Sequence, residues 1–313
     1  MANKRIINQV LAKKHNDFVE SITDQNVKQL VRDNSIITGG SIASLLSNEK
    51  VHDYDYYFKN IETVRAVANY YVHKFKELNP NLLHKPVVNE MEQGRVRIRI
   101  QSAGVTGEDI KDGAYRYFES QPLEQGENYV AQVTQSVEEG DDLPSELEGK
   151  DKSKDKYRPI FLSDNAITLS DKVQLIIRFY GEAEEIHKNY DFAHCINYWE
   201  SSTKKVVLQQ VALESLLAKQ LYYLGSRYPV CSIIRMRKFI KAGWHINAGQ
   251  ILKMILQVSE LDLKNYQVLE EQLTGVDTAY FSHMLEFIKK EQESKPDFQL
   301  DMPYLVSLID KIF

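Results

Sequence analysis

The segment that most limits what this chain can fold into runs from Ser35 to Phe58. A short β-favouring run, Ser35-Ile-Ile-Thr38, ends at Gly39-Gly40, and Ser41 then opens the helical stretch Ile42-Ala-Ser-Leu-Leu46 with an N-cap residue in place. Val51 to Phe58 alternates, is rich in aromatics and reads as a second strand. Strand, glycine turn, helix, strand within so few residues demands a sheet with helices laid against it. Two adjacent glycines also allow a ligand to approach backbone that a side chain would shield.

The rest of the chain extends this pattern. Ile6, Val10, Leu11, Phe18, Val19, Ile22, Val27, Leu30 and Val31 recur at helical spacing over residues 4–32, predicting one or two amphipathic helices. A helix is expected over Ile61–Leu78 and a half-exposed strand over Arg95–Ile100. A hairpin is expected from Ala166–Leu169 and Val173–Phe179 through Ser170-Asp-Lys172, with a further strand at Tyr190–Trp199. Between residues 136 and 157 stand eight acids against four lysines, with Gly140, Pro144 and Gly149; an acidic insert spanning about 103–158 is expected to be a solvated loop or flap. From Val206 the period turns helical: a face from Val211 to Leu224, then helices at Ile233–Ala242 and Ala248–Val258 and short ones on to Phe313. The expected architecture is α+β: a small mixed-sheet head over residues 1–200, followed by an all-helical neck and tail over 201–313.

Composition narrows the function. A net charge of −5 provides no whole-protein basic field for nucleic acid or anionic lipid, though Arg95, Arg97 and Arg99 on one strand face supply a local basic patch. Cys195 and Cys231 alone make neither a disulfide framework nor a four-thiolate zinc site, and a reducing, cytoplasmic setting fits them best. The N-terminus lacks signal-peptide character, and no run of ~18 uncharged apolar residues suggests a membrane span.

The chemistry concentrates at the glycine turn. A helix opening there points free N–H groups at the turn, which favours phosphate. Asp53 and Asp55, two apart on the expected strand, present carboxylates to one surface, and such hard oxygens suit Mg²⁺ shared with substrate phosphates. Either feature alone is commonplace: a tight turn, or a solvated strand edge. Together, in this order, they describe a nucleotide-handling site.

Ile37-Thr-Gly-Gly-Ser41 followed by Asp53-Tyr-Asp55 resembles the signature of the polymerase-β-like nucleotidyltransferase superfamily. The resemblance implies that Gly39, Gly40 and Ser41 grip a triphosphate. It also implies that Asp53 and Asp55 bind two Mg²⁺ ions, or Mn²⁺ in their place, and that NMP passes from an NTP to a hydroxyl acceptor. The family places a third carboxylate on a later strand of the sheet, for which Asp191 is the expected residue; the plainer reading is an Asp capping a turn, and Asp164 and Asp171 rank below it.

Ala212-Leu-Glu-Ser-Leu-Leu217, Gly225 and Ile233-Ile-Arg-Met-Arg-Lys-Phe239 are similar to the neck of CCA-adding tRNA nucleotidyltransferases and bacterial poly(A) polymerases. By that resemblance Arg235 and Lys238 contact the nucleotide, and the acceptor is an RNA 3′ end such as tRNA; a protein side chain or a small molecule are the other acceptors to consider. The plainer reading is a solvated basic helix face. Two departures bear on substrate. Ala43-Ser44 stand where the CCA type carries Arg-Asp, and Cys231-Ser232 replace the Glu-Asp that helps to choose C and A. The competing functions are a catalytically inactive nucleotide- or RNA-binding module on the same fold and a protein-interaction module. His52 is expected to pack behind the strand, His187 to lie at the surface, and His194-Cys195 to be a poor zinc site or nucleophilic dyad.

Overall fold

The computed structural model describes residues 3–80, 85–91, 94–101, 156–163 and 165–273. The acidic stretch, apart from its last two residues 156 and 157, and everything after residue 273 lie outside them. Helices α1 (Lys4–Glu20) and α2 (Gln25–Asn34) start on Asn3 and Asp24, whose side chains accept first-turn N–H groups. Strand β1 (Ser35–Thr38) leads through Gly39 into α3 (Gly40–Ser47), and β2 (Tyr54–Phe58) is followed by α4 (Ile61–Leu78), capped by Asn60. Next come β3 (Lys85–Glu90), β4 (Val96–Gln101), β5 (Pro159–Leu162), β6 (Ala166–Leu169), β7 (Val173–Tyr180) and the short helix α5 (Ala183–His187). A 3₁₀ turn at Ala193–Cys195 precedes β8 (Tyr198–Glu200) and β9 (Lys205–Val207). Helices α6 (Gln210–Ala218), α7 (Pro229–Lys241), α8 (Ala248–Ser259) and α9 (Tyr266–Leu273) complete the described chain.

Among the described residues the sheet has seven strands in the order β5-β6-β7-β2-β1-β8-β9, and β3 and β4 form a separate antiparallel pair. Of these pairings the central β2–β7 pair is parallel and its neighbours run antiparallel, so the sheet is mixed, as expected. Alternation along β1 and β2 sends residues to two different layers. Ile37, Tyr56 and Phe58 enter the main core, where they meet Phe18 of α1 and Val64, Val67, Tyr71 and Phe75 of α4. Each such large buried side chain stabilises the fold by ~1.5–3 kcal/mol. Ile36 and Tyr57 turn to the other face, against Ala183, Ile186, Tyr190 and Tyr198. Asp55 lies two residues before Tyr57 and shares that second face.

Several expectations need correction. The strand expected from Val51 begins only at Tyr54, and His52, expected to pack, is exposed. Tyr190–Trp199 is not one strand: Phe192 makes a single bridge to Tyr223, the 3₁₀ turn follows, and pairing resumes only at Tyr198. The sheet also extends beyond residue 200, because β9 pairs with β8. Phe192, Leu221, Tyr223 and Met254 form a second small core, joined by Phe239 and Trp244, which fixes the helical region to the head.

Candidate active site

Thr38 pairs directly with Asp55 across the β1–β2 ladder, so the glycine turn begins beside the Asp55 carboxylate. Gly39 has φ +83° and ψ −156°. That conformation is essentially closed to a residue with a Cβ. A Cβ there would also stand 2.5 Å from Asp55 Oδ2 and 3.5 Å from Tyr190 Oη. The Gly39 N–H donates to the Cys195 carbonyl at 3.1 Å, tying the turn to the 3₁₀ segment. Gly40 is different: it is exposed, and a Cβ would meet nothing within 4 Å. It opens α3 on the solvent side, and no side chain caps that helix. First-turn N–H groups left this way suit an anion.

Ser41 is buried, and its hydroxyl donates to the Thr38 carbonyl at 3.3 Å. Its side chain thus closes the turn, and the helix begins one residue earlier than expected, at Gly40, with Gly39 at the N-cap. Thr38 Oγ1 lies 2.9 Å from the Asn197 carbonyl and 2.9 Å from His187 Nε2. The single Thr38 proton satisfies both contacts when it goes to the carbonyl and His187 Nε2–H donates to Thr38. His187 is thus a half-buried support for β1 rather than a surface residue, and burial pushes its pKa down to about 4.

Asp53 is exposed just ahead of β2, close enough to Asp55 for each to feel the other's charge. The Asp55 carboxyl is pushed up to about 7, first by burial and then by Asp53, while Arg235 and Lys238 pull it back down. Tyr57 and Tyr190 hydrogen-bond to each other on the same face, and both phenols are raised by burial. Arg235 and Lys238, three apart on α7, share one helix face and reach the Asp55 environment from the helical region.

Asp191 is buried in irregular backbone rather than in a strand. Its carboxylate is ion-paired with Arg235. The position opposite Asp55 on the neighbouring strand β7 is occupied by Gln174. Among the described residues no group of three or more His, Cys, Asp or Glu side chains is arranged to hold a metal ion. Asp55, raised by burial and by the charge of Asp53, and Asp53 itself are the residues that would hold a divalent cation completed by substrate phosphates. Asp191, ion-paired with Arg235, is not grouped with them among the described residues.

His194 and Cys195 form no nucleophilic pair. His194 is buried between Phe239 and Trp244, with ring centroids 4.5 and 4.2 Å away, and burial lowers its pKa to about 3. Burial pushes the Cys195 thiol up, away from the reactive thiolate. Cys231 and Ser232 point inward, to the carbonyls of Gln272 and Tyr228, and add no acidic group to the site. Arg97 and Arg99 lie on β4, paired with β3, and Arg95 just ahead of it donates to Asn165 Oδ1 at 2.9 Å.

Sequence reasoning missed Tyr57, Tyr190 and Gln174. Tyr57 was findable from its two-residue spacing to Asp55. The other two depend on strand pairing and chain crossing that no local pattern encodes.

A family model described as Gabija anti-defense 2 family protein matches residues 9–219, a span that takes in the whole sheet, the glycine turn and both aspartates of the pair. The chain belongs to this family. It is similar to "Gabija anti-defense 2" of Bacillus phage SPbetaL7, with 23% identity over 131 residues, covering 41% of this chain and 32% of that protein. The match thus covers about a third of the relative's length. Among solved structures, a CCA-adding enzyme of Bacillus stearothermophilus in complex with CTP aligns over 80% of this chain and 47% of its own. Its identity is 11% and its TM-score 0.34. A CCA-adding enzyme of Thermotoga maritima complexed with tRNA aligns over 88% and 54%, with 10% identity and the same TM-score of 0.34. Both superpositions are loose. No helix among the described residues is long and apolar enough to cross a membrane.

Proposed function

We propose that this protein is a divalent-metal-dependent nucleotidyltransferase and that it acts against the Gabija defence named in its family. The observation that carries the reading is the pairing of Thr38 with Asp55, which sets two carboxylates beside a helix N-terminus whose first residue is open to solvent. Asp53 and Asp55 would hold the cation, Mg²⁺ or Mn²⁺. When bound, such an ion neutralises charge on the phosphates of an NTP.

The chain's own groups account for the remaining needs. The N–H groups at Gly40 and Ser41 offer donors to phosphate oxygens. Arg235 and Lys238 bring positive charge to the same place. In the reaction an acceptor hydroxyl oxygen bonds to the α-phosphorus and loses its proton, and the bond from that phosphorus to the bridging oxygen of pyrophosphate breaks. Charge accumulates on the departing pyrophosphate, where guanidinium and ammonium groups stabilise it. The acceptor we favour is an RNA 3′ end such as that of tRNA, with a protein side chain as the next choice. Ordered C-C-A addition is not expected, because Cys231 and Ser232 face away from the site and supply no carboxylate to read amino groups.

A catalytically inactive binding module is the second reading, favoured by Gln174 opposite Asp55 and by the commitment of Asp191 to Arg235. One experiment separates the two. The wild type and Asp53→Asn, Asp55→Asn variants are incubated with each α-phosphate-labelled NTP and lysate from Gabija-carrying cells, and the same variants are scored for rescue of phage growth. Transfer of label and rescue should both vanish in the variants. Rescue that persists without label transfer supports the binding module.

A further inference from the structure

Along β7, Val173, Leu175 and Ile177 enter the main core, and Arg178 leaves the sheet the other way, towards Tyr228. Arg178 is only 8% exposed. Its Nη2 donates to the Tyr228 hydroxyl, whereas Nη1 is buried and meets no acceptor among the described residues. A guanidinium keeps its charge when it is buried, so an unmet donor of this kind is costly and marks a place built to receive an acceptor.

The surroundings hold this group without neutralising it. The Tyr228 ring stands 4.5 Å and the Phe179 ring 5.3 Å from the guanidinium, which supports a cation but supplies no anion. Arg227 lies over the same Phe179 ring at 6.0 Å, and Arg227 and Arg97 both repel Arg178 against the attraction of Glu271. Three arginines thus converge on one small region of a chain whose net charge is −5. Arg227 and Tyr228 also immediately precede α7, whose N-terminus carries no side-chain cap and adds positive potential.

We infer that Arg178, with Arg227 and Arg97 around it, forms a phosphate site separate from the Asp53–Asp55 pair, and that its ligand is a terminal phosphate, either at the 5′ end of an oligonucleotide or as free phosphate. The gradient of exposure selects the terminal form: Arg227 is exposed, Arg97 half-buried and Arg178 Nη1 buried. A group that reaches Nη1 must enter end-on. A terminal phosphate can do so, while an internal phosphodiester carries chain on both sides. A terminal phosphate also brings about −1.5 to −2 charges at pH 7, which suits several arginines better than the single charge of a diester. Guanidinium forks match its oxygens in pairs. The site does not rest on the nucleotidyltransferase reading, because neither a metal ion nor a carboxylate takes part in it.

The test is fluorescence-polarisation binding of a short oligoribonucleotide, labelled at its 3′ end and carrying either a 5′-phosphate or a 5′-hydroxyl, to the full-length protein. EDTA is present throughout, so that no divalent cation contributes, and ionic strength is held constant with KCl. Inorganic phosphate serves as competitor and, in a parallel melt, as the added ligand. The 5′-phosphate probe should bind at least about tenfold more tightly than the 5′-hydroxyl probe, the range of a charge-assisted hydrogen bond. Inorganic phosphate should displace it and raise the Tm of the wild type. Arg178→Gln should bring the ratio between the two probes to about one and abolish the Tm shift. Arg227→Ala, a change at an exposed side chain that keeps the protein folded, should reduce the ratio by about threefold or more and decides the matter should Arg178→Gln unfold. Asp53→Asn should keep the wild-type ratio. A Tm shift with phosphate that Arg178→Gln or Arg227→Ala diminishes, without any preference between the probes, supports the site with free phosphate as its source. Neither a preference nor a Tm shift in the wild type would overturn the inference. A wild-type preference and Tm shift in Arg227→Ala would do the same, as would a preference lost in Asp53→Asn, which would return the phosphate to the carboxylate pair.

Discussion

Replacing Gly39 and Gly40 by alanine, one at a time, separates what the glycine turn does for the fold from what it does for a ligand. At Gly39 the backbone stands at φ +83° and ψ −156°, and strain of this kind costs on the order of 1–3 kcal/mol for a residue with a Cβ. The new methyl would also fall 2.5 Å from Asp55 Oδ2, well inside contact distance, so the carboxylate must rotate away or the β1–β2 ladder must open at the Thr38–Asp55 pair. Together these set an expected loss of about 2–4 kcal/mol, seen as a fall of roughly 10 °C in Tm. Gly40 already has ordinary helical backbone and open space where a Cβ would go, so Gly40→Ala should stay within ~1 kcal/mol of the wild type. Its effect should appear in ligand binding instead: a methyl between the first-turn N–H groups and a phosphate should lower NTP affinity by about tenfold or more. Urea unfolding gives the stabilities, and nucleotide titration with Mg²⁺ gives the affinities. Wild-type stability in Gly39→Ala would refute the strain argument. Wild-type NTP affinity in Gly40→Ala would refute phosphate binding at this turn.

Three further outcomes follow from the same structure. Asp53→Asn and Asp55→Asn should fold with wild-type cooperativity yet lose nucleotidyl transfer, as measured by label incorporation, because neither carboxylate holds the core together. Acid should destabilise the protein: His15, His187 and His194 are held near 4, 4 and 3 by burial against 6.5 when unfolded, so the unfolded chain takes up protons that the native state refuses. Each contributes a loss of about 1.4 kcal/mol per pH unit as pH falls from about 6.5 towards 4. Asp55, raised to about 7, opposes them with one proton taken up by the native state, leaving a net loss of about 3 kcal/mol per pH unit; a flat urea-stability profile across that window would contradict the burial of the histidines. Tyr228→Phe should cost ~1–3 kcal/mol in urea melts, since it removes the acceptor of buried Arg178 and leaves only the ring, 4.5 Å from the guanidinium.

The sequence by itself determined the elements whose signals are local. Helix α4 shows its apolar period and its Asn60 cap, the β6–β7 hairpin shows alternation on both sides of a three-residue turn, and the Gly39-Gly40 break between strand and helix is unmistakable. The nearness of Asp53 to Asp55 was legible for the same reason: two residues of extended chain fix it whatever the rest does. Ser41 shows where local reading stops: that its hydroxyl meets the Thr38 carbonyl is set by the folded turn. The three-residue strand β8 exists because β1 offers an edge to pair with, and β9 because β8 then offers the next, not because their sequences insist on it. Asp191 is the clearest case. Its flanking aromatics resemble a strand, but Phe192 and its neighbours are drawn into the small core beneath α7 and α8, the backbone bends to suit, and Arg235 arrives from 44 residues away to claim the carboxylate. Periodicity records which side of an element is buried; which charged group meets which is decided by where distant elements cross, and burial then forces each charge to find a partner.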